Sequence, residues 1–376
     1  MESDACLSLP RVLHICSYYA GSDLYKNLFS SLETLGIRQS VYVFTSKNYR
    51  AEVSVPANVH FSPCYYEFER LVFDLKHSRV LRDIKRREDV GKYDVIHAHS
   101  LFSNGYIAYR LKQEFGLPYI VAVRNTDVNV FFKYMIHLRR LGVRIMAEAS
   151  AIVFISKPYK DFTISRYVPK RFRDSFDKKS VVLPNGIDHF WHENKAKPRK
   201  LSAQRRVRII QVGSINRNKN PDATIAACEV LRSESYDVRC TLVGQITEAR
   251  YLRLLKRYPF IEYIPHCRKD DLIRYYREAD IFVMPSKKET FGLVYAEAMS
   301  QALPVIYTRG QGFDGQFREG EVGYAVDSSS PHEIATRIKD ILRDYGQISK
   351  RALDHAERYD WRNISAEYAR LYSDFG

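Results

Sequence analysis

Two carboxylates, Glu289 and Glu297, bracket a stretch in which a loop gives way to a helix: Pro285-Ser286-Lys287-Lys288-Glu289-Thr290-Phe291-Gly292-Leu293-Val294-Tyr295-Ala296-Glu297-Ala298-Met299. A strand is predicted to end at Met284 and a helix to begin near Gly292. Gly292 has no Cβ, so a ligand can approach the backbone closely there. The N–H groups of Phe291, Gly292 and Leu293 then project from a helix N-terminus, a setting that suits a phosphate. Helical side chains lean toward the N-terminus, which lets Glu297, in the second turn, reach back beside the same ligand. Carboxylates accept hydrogen bonds from sugar hydroxyls, often in pairs. The plainer alternative is a capping acid followed by a solvated helix acid.

Other loops after predicted strands hold residues of the same character. Val212-Gly213-Ser214-Ile215-Asn216-Arg217-Asn218-Lys219-Asn220-Pro221 leads into a helix at Pro221, a favoured first helical residue. Its cations, Arg217 and Lys219, stand where a diphosphate leaving group could be neutralised, or simply face solvent. Tyr18-Tyr19-Ala20-Gly21-Ser22-Asp23 follows the first strand, and Gly21 permits close approach or a plain turn. It is not the Gly-x-Gly-x-x-Gly fingerprint, which argues against an NAD enzyme. His97-Ala98-His99-Ser100 and Arg124-Asn125-Thr126-Asp127 also follow strands and are expected to open on one cleft. Residues two apart share a strand face. His99, nearer the strand end, is assigned to the cleft and His97 to the core. No third ligand at metal-site spacing is evident, so no metal is assigned.

These loops need a scaffold that places strand ends side by side. In the first half, strands are predicted at 11–16, 41–45, 95–98, 119–123, 151–155 and 181–183, with helices at 24–35, 67–87, 105–115, 133–147 and 158–167. Such alternation reads as a parallel sheet covered on both faces. Pro184-Asn185-Gly186-Ile187-Asp188 and the polar, basic stretch 194–204 interrupt it. The pattern restarts with strands at 207–212, 238–243, 261–264, 281–284, 304–307 and 324–326, and helices at 221–231, 248–258, 270–278, 293–300, 331–342, 349–359 and 361–375. The expected organisation is α/β: one Rossmann-like domain over 1–188, joined by the helix of 361–376, and a second over 189–360. Ligands of open parallel sheets bind outside the carboxyl ends of the strands, so two facing sheets would place chemistry in an interdomain cleft.

Composition agrees with a folded protein. The chain has 376 residues, enough for about two domains. Disorder is expected only in the first few residues and in 194–204. The net charge of +15 favours polyanionic partners such as nucleic acid, an anionic membrane or phosphorylated substrates. The six cysteines include no Cys-x-x-Cys pair and read as buried, reduced thiols. The acidic start Met1-Glu2-Ser3-Asp4 is not expected to act as a secretory leader, and the sequence has no run of 18 apolar residues from which a spanning helix would be expected. The expected location is cytoplasmic.

Taken together, these residues resemble the retaining GT-B glycosyltransferases of family 4, the group 1 glycosyltransferases. The resemblance covers nearly the whole chain: Gly21, Asp94-Val95-Ile96-His97-Ala98-His99, Val182-Leu183-Pro184-Asn185-Gly186-Ile187-Asp188, the 213–219 loop and the acid pair. Its most specific part is Glu289 to Glu297, spaced as the family's Glu-x7-Glu, followed by Ala298-Met299-Ser300-Gln301-Ala302-Leu303-Pro304-Val305.

The resemblance implies that Glu289 holds donor-sugar hydroxyls and Glu297 the nucleotide ribose. Lys219 and the amides of Phe291, Gly292 and Leu293 would bind the donor phosphates. Gly213 and Ser214 would line the donor site, and the loop of 265–268, with Arg268, would flank the nucleobase. It implies a hexosyltransferase using a UDP- or GDP-sugar, with retention of anomeric configuration and no metal or other cofactor. Departures occur at Ser214, where Arg is usual, and at Arg124, where the family has a His beside the donor sugar. Arg217 would supply the first missing charge, while Arg124 would contact a phosphate or an acidic sugar. Asp127 belongs to the same segment.

The acceptor expected from the resemblance is a saccharide or a lipid-linked glycan of cell-envelope or exopolysaccharide synthesis. The aromatic and basic segments 67–87, 131–140 and 157–173 would rest on the anionic inner face of the plasma membrane, or read equally as solvated helices. The competing functions are a nucleotide-sugar epimerase or phosphorylase of the same fold, and a nucleic-acid-binding protein. No recognition motif supports the last, so no nucleic-acid partner is expected.

Overall fold

The computed structural model describes residues 9–21, 23–50, 55–198, 201 and 205–375. Much of what the sequence marks for disorder, the N-terminal residues and 199–200 and 202–204 of the linker, lies outside the described residues, as does Ser22.

The chain divides into two compact units. The first extends to Ile155, includes Lys160–Pro184 and ends with the segment from Trp361; the second holds Ser156–Tyr159 and Asn185–Asp360. In the first unit the elements are β1 (Arg11–Ile15), α1 (Asp23–Thr34), β2 (Arg38–Ser46), β3 (Val59–Tyr65), α2 (Phe73–Arg87), β4 (Val95–Ala98), α3 (Ser103–Phe115), β5 (Tyr119–Val123), α4 (Arg139–Glu148), β6 (Ala151–Phe154), α5 (Lys157–Tyr167), α6 (Arg173–Lys178) and β7 (Ser180–Val182). The second contains α7 (His189–Glu193), β8 (Arg206–Val212), α8 (Pro221–Ser233), β9 (Asp237–Val243), α9 (Arg250–Lys256), β10 (Ile261–Ile264), α10 (Lys269–Glu278), β11 (Ile281–Val283), α11 (Leu293–Ser300), β12 (Val305–Thr308), β13 (Gly323–Val326), α12 (Pro331–Arg343) and α13 (Tyr345–His355). The last helix, α14 (Trp361–Ser373), returns to the first unit.

Both sheets are parallel throughout, in the orders β3-β2-β1-β4-β5-β6-β7 and β10-β9-β8-β11-β12-β13. Their central strands are apolar runs buried on both faces, as parallel sheets require. Order reverses between β1 and β4 and between β8 and β11, the switch points where loops diverge and leave a crevice.

The predicted helix 67–87 is broken. Residues Glu67–Leu71 form a tight turn, Val72 is extended at φ −116°, and α2 begins only at Phe73. The predicted helix 133–147 likewise starts late, at Arg139, after two short turns. Strand β3 escaped prediction because Pro63 interrupts its pattern. Pro63 is tolerated because β3 is an edge strand and owes no inward ladder bond at every position.

Helix α14 packs Trp361, Ile364, Tyr368 and Tyr372 into the first unit's core with Val12, Leu28 and Phe29. Ser31 and Ser365 share a hydroxyl hydrogen bond of 2.7 Å between α1 and α14. Burying each large side chain contributes about 1.5–3 kcal/mol, so this helix is integral to the unit.

Candidate active site

In the second unit, the loops after β8 and β11 flank the switch point. The β8 loop is held by its own polar side chains. Asn216 Oδ1 accepts from the Lys219 amide at 2.9 Å, and Gln211 Nε2 donates to the Lys219 carbonyl at 2.7 Å. Asn220 takes a left-handed conformation, φ +56°, which Asn tolerates better than most residues. Its Nδ2 donates to the carbonyls of Pro285 (3.0 Å) and Ser328 (2.7 Å), so the strained residue also pins the β11 loop. Asn218 adds a reciprocal pair with Lys288, donating to its carbonyl at 3.0 Å and accepting from its amide at 3.1 Å.

This clamp brings Lys219 and Glu289 together. Lys219 Nζ lies 2.5 Å from Glu289 Oε2, with the lysine only a quarter exposed and the acid largely buried. The Glu289 backbone is fixed from the other side: its amide donates to Gln311 Oε1 at 2.9 Å and its carbonyl accepts from Gly312 at 2.8 Å. Gly292 follows at φ +79°, where an added Cβ would sit 2.5 Å from the Tyr295 ring. The amides of Phe291, Gly292 and Leu293 have no backbone acceptor among the described residues, as expected where α11 starts. A cation and open amides therefore converge where an anion gains most.

Beside them lies a cavity of about 580 Å³, floored by Gly213 and Gly244 and walled by Trp191, His266, Cys267 and Glu297. A Cβ on Gly244 would fall 2.1 Å from the Gly213 carbonyl, so these loops touch backbone to backbone. Burial raises the Glu297 carboxyl to about 7; the Tyr276 hydroxyl, donating to Oε2 at 3.3 Å, pulls it down in part, and nearby Asp188 pushes it up. Asp188 itself caps α7 through the Phe190 amide and pairs with Lys269 Nζ at 2.7 Å. Its burial works upward, but Lys269 and that amide outweigh it and hold the carboxyl below its usual range.

The sequence-selected residues Gly213, Ser214, Lys219, Glu289, Phe291, Gly292, Leu293 and Glu297 thus gather in or beside one crevice. Arg217 is exposed; its amide donates to Glu248 Oε1 at 2.8 Å, and its guanidinium makes no ion pair among the described residues. Arg268 is also exposed, 3.6 Å from Asp270, while its neighbours His266 and Cys267 face the cavity. Sequence reasoning missed the wall residues Trp191 and Lys269, and Tyr276, which lies buried behind Glu297. The run ending at Asp188 and the loop of 265–268 pointed toward that wall.

The first unit is different. His99 does not stay open as the sequence reading expected. His14, His97 and His99 are all fully buried, with His14 Nδ1 3.1 Å from His99 Nε2 and His97 Nδ1 2.7 Å from the Tyr372 hydroxyl. Burial lowers all three, His14 to about 3, so the rings are neutral at pH 7. His14 supplies a third nitrogen that the sequence did not pair with His97 and His99. Among the described residues no carboxylate joins the trio, and the Arg124 cation acts on His97 and His99, which opposes a buried metal ion.

Arg124 is buried: burial works against its charge, while the Tyr25 and Tyr368 hydroxyls hold it above its usual range. Asp127 accepts from the amides of Arg124 (2.8 Å), Leu101 (2.9 Å) and Phe102 (3.1 Å); burial raises it to about 6 against these bonds. Gly21 closes an exposed turn where a Cβ would meet nothing within 4 Å.

Two family models match in tandem: Glycosyltransferase Family 4 over residues 25–190 and Glycosyl transferases group 1 over residues 193–359. The chain belongs to the group 1 glycosyltransferases. Its two parallel-sheet units are those of the GT-B fold, and it is an enzyme of the hexosyltransferase kind. It is 27% identical over 309 residues to a D-inositol 3-phosphate glycosyltransferase of Paenarthrobacter aurescens, covering 76% of this chain and 73% of that one. An uncharacterized glycosyltransferase of Methanocaldococcus jannaschii is 24% identical over 304 residues, 75% of this chain and 76% of its own. Among solved structures, a sucrose-phosphate synthase from Thermosynechococcus elongatus aligns with TM-score 0.72 and 17% identity, over 97% and 98% of the two chains. Anabaena HepE in complex with UDP aligns at 0.69 and 16%, over 97% and 100%. The lipopolysaccharide outer core galactosyltransferase WaaB aligns at 0.74 and 12%, over 96% and 99%.

Proposed function

We propose that this glycosyltransferase takes a hexose from a UDP- or GDP-sugar and transfers it, with retention of configuration, to a saccharide or lipid-linked acceptor. The observation that carries this reading is the convergence of Lys219, Glu289 and the open amides at Gly292 on one crevice. A diphosphate would lie on those amides and on Lys219, whose positive charge offsets the charge that develops on the leaving group. Glu289 would receive donor-sugar hydroxyls. The ribose would bond to Glu297 and the nucleobase would enter the cavity beside His266 and Cys267. Fixed amides and a lysine do the work of a metal, so the transfer requires none. The leaving phosphate would help take the acceptor proton.

Two relatives favour particular acceptors by name. One acts on D-inositol 3-phosphate and one neighbour is a sucrose-phosphate synthase, which makes phosphorylated polyols and sugars natural members of an acceptor panel. A cell-envelope or exopolysaccharide product remains the reading for the lipid-linked case. None of the described helices is long and apolar enough to cross a membrane. In the first unit, Phe68, Leu71, Tyr134 and Ile136 are exposed beside Arg70 and Lys133, which suits peripheral contact with an anionic cytoplasmic leaflet. Nucleic acid is not a partner in this reading.

The test begins with thermal shift against UDP, GDP and ADP and their sugars, because a ligand of the native state raises the midpoint. The matching donor is then used to follow nucleotide release with an acceptor panel, and the product's anomeric configuration is read by NMR. Equal response to every nucleotide, or release without any acceptor, defeats the proposal.

A further inference from the structure

Outside the lining of the crevice, the second unit holds a second polar cluster, where the chain enters and leaves the unit. His192 lies in α7, and Glu357 and Asp360 lie in the segment that precedes α14. One ligand atom from each falls within 4.8 Å of the others. His192 is nine-tenths buried, yet among the described residues neither of its ring nitrogens has a hydrogen-bond partner in good geometry. A buried imidazole without well-formed hydrogen bonds is costly; its ring meets the Tyr359 backbone, and Asp360, Glu357 and Lys195 act on it.

We propose that His192, Glu357 and Asp360 bind a divalent transition-metal ion, zinc fitting the donor set of one imidazole and two carboxylates. The two carboxylates offset the ion's charge, which the histidine trio of the first unit cannot do. Tetrahedral zinc, with bonds of about 2.0–2.2 Å, places its ligands about 3.4 Å apart. The exposed Glu357 side chain would rotate to close that gap. Glu357 now pairs with the Lys195 ammonium, a cation already seated at the edge of the site, which the metal would displace. Water would complete the coordination. Next to the site the Ile187 amide donates to the Tyr359 carbonyl at 2.9 Å, so the ion would cross-link the entering and leaving segments. Its role is structural, and none of Lys219, Glu289 or Glu297 takes part.

The test uses the full, untagged chain dialysed against chelator. Zinc is titrated with thermal shift and, in parallel, against a chromophoric chelator. The expected result is one tightly held equivalent and a midpoint rise of about 3–8 °C. His192→Gln and Asp360→Asn should lose the rise, whereas His189→Gln, at the surface pair with Glu193, should keep it. Cobalt bound to the unaltered protein should give visible d–d bands of a low-coordinate nitrogen and oxygen site, a readout that stands if the variants fail to fold. Absence of both a saturable equivalent and cobalt bands, or an undiminished rise in His192→Gln, overturns the proposal. Because the transfer reading is tested by nucleotide binding, the two can fail separately.

Discussion

Around β1 and β4 the first unit packs His14, His97 and His99 against Tyr372 until no solvent reaches them, whereas around β8 and β11 the second unit keeps glycines at the strand ends and a cavity between the loops. The sheets share one strand order, so topology alone does not decide where chemistry sits. Side-chain volume at the switch point does. Each buried, neutral imidazole bonds through one ring nitrogen, His14 and His99 to each other and His97 to Tyr372. A site for a charged ligand needs the reverse: bare backbone, a lysine held by an acid, and amides without acceptors.

The largest effects should come from separating the charged partners. Lys219→Ala and Glu289→Ala should each lower kcat/KM by about 10²–10³-fold, the range typical of losing one preorganised electrostatic contact, with circular dichroism unchanged. Activity within twofold of the parent in both would show that the crevice is not where the reaction occurs. Next, Gly292→Ala forces a Cβ toward Tyr295 at positive φ. It should destabilise the protein by about 1–3 kcal/mol in denaturant melts and weaken UDP binding in calorimetry.

Glu297 gives a pH test. Its folded pKa of about 7 exceeds the ordinary value of 4.5, so its contribution to stability is present below about 4.5 and is lost as pH rises toward 7. If the carboxylate binds the ribose, nucleotide affinity moves the other way and improves about tenfold from pH 6 to pH 8. Glu297→Gln should flatten that profile, and an unchanged slope would assign the titration elsewhere.

Smaller still, Tyr372→Phe removes the hydroxyl from His97 and should cost about 1–2 kcal/mol of stability while leaving UDP affinity alone. A changed affinity would break the contrast between the two regions. Arg217→Ala, at an exposed side chain, should reduce kcat/KM only a few-fold.

The parts legible in the sequence were those carried by local spacing. Gly292 with its flanking acids, and the β8 loop ending at Pro221, announce helix starts after strands. The partners of the cavity acids were not legible, because Lys269 meets Asp188 and Tyr276 meets Glu297 only after the chain folds. His14 was missed for the same reason: the β1–β4 register sets it beside His97, far away in sequence. Pro63 hid an edge strand, and Val72 cut a helix whose basic, amphipathic pattern runs through the break without a sign.

The placement of α14 also bears on how the molecule is made. Tyr368 and Tyr372 cover part of the first unit's core, yet a ribosome delivers them only after the second unit's residues have emerged. The second unit can therefore close while the earlier-made one still waits, half-covered, for its last helix. Nascent chains halted before residue 361 should accordingly recruit chaperones to the part synthesised first.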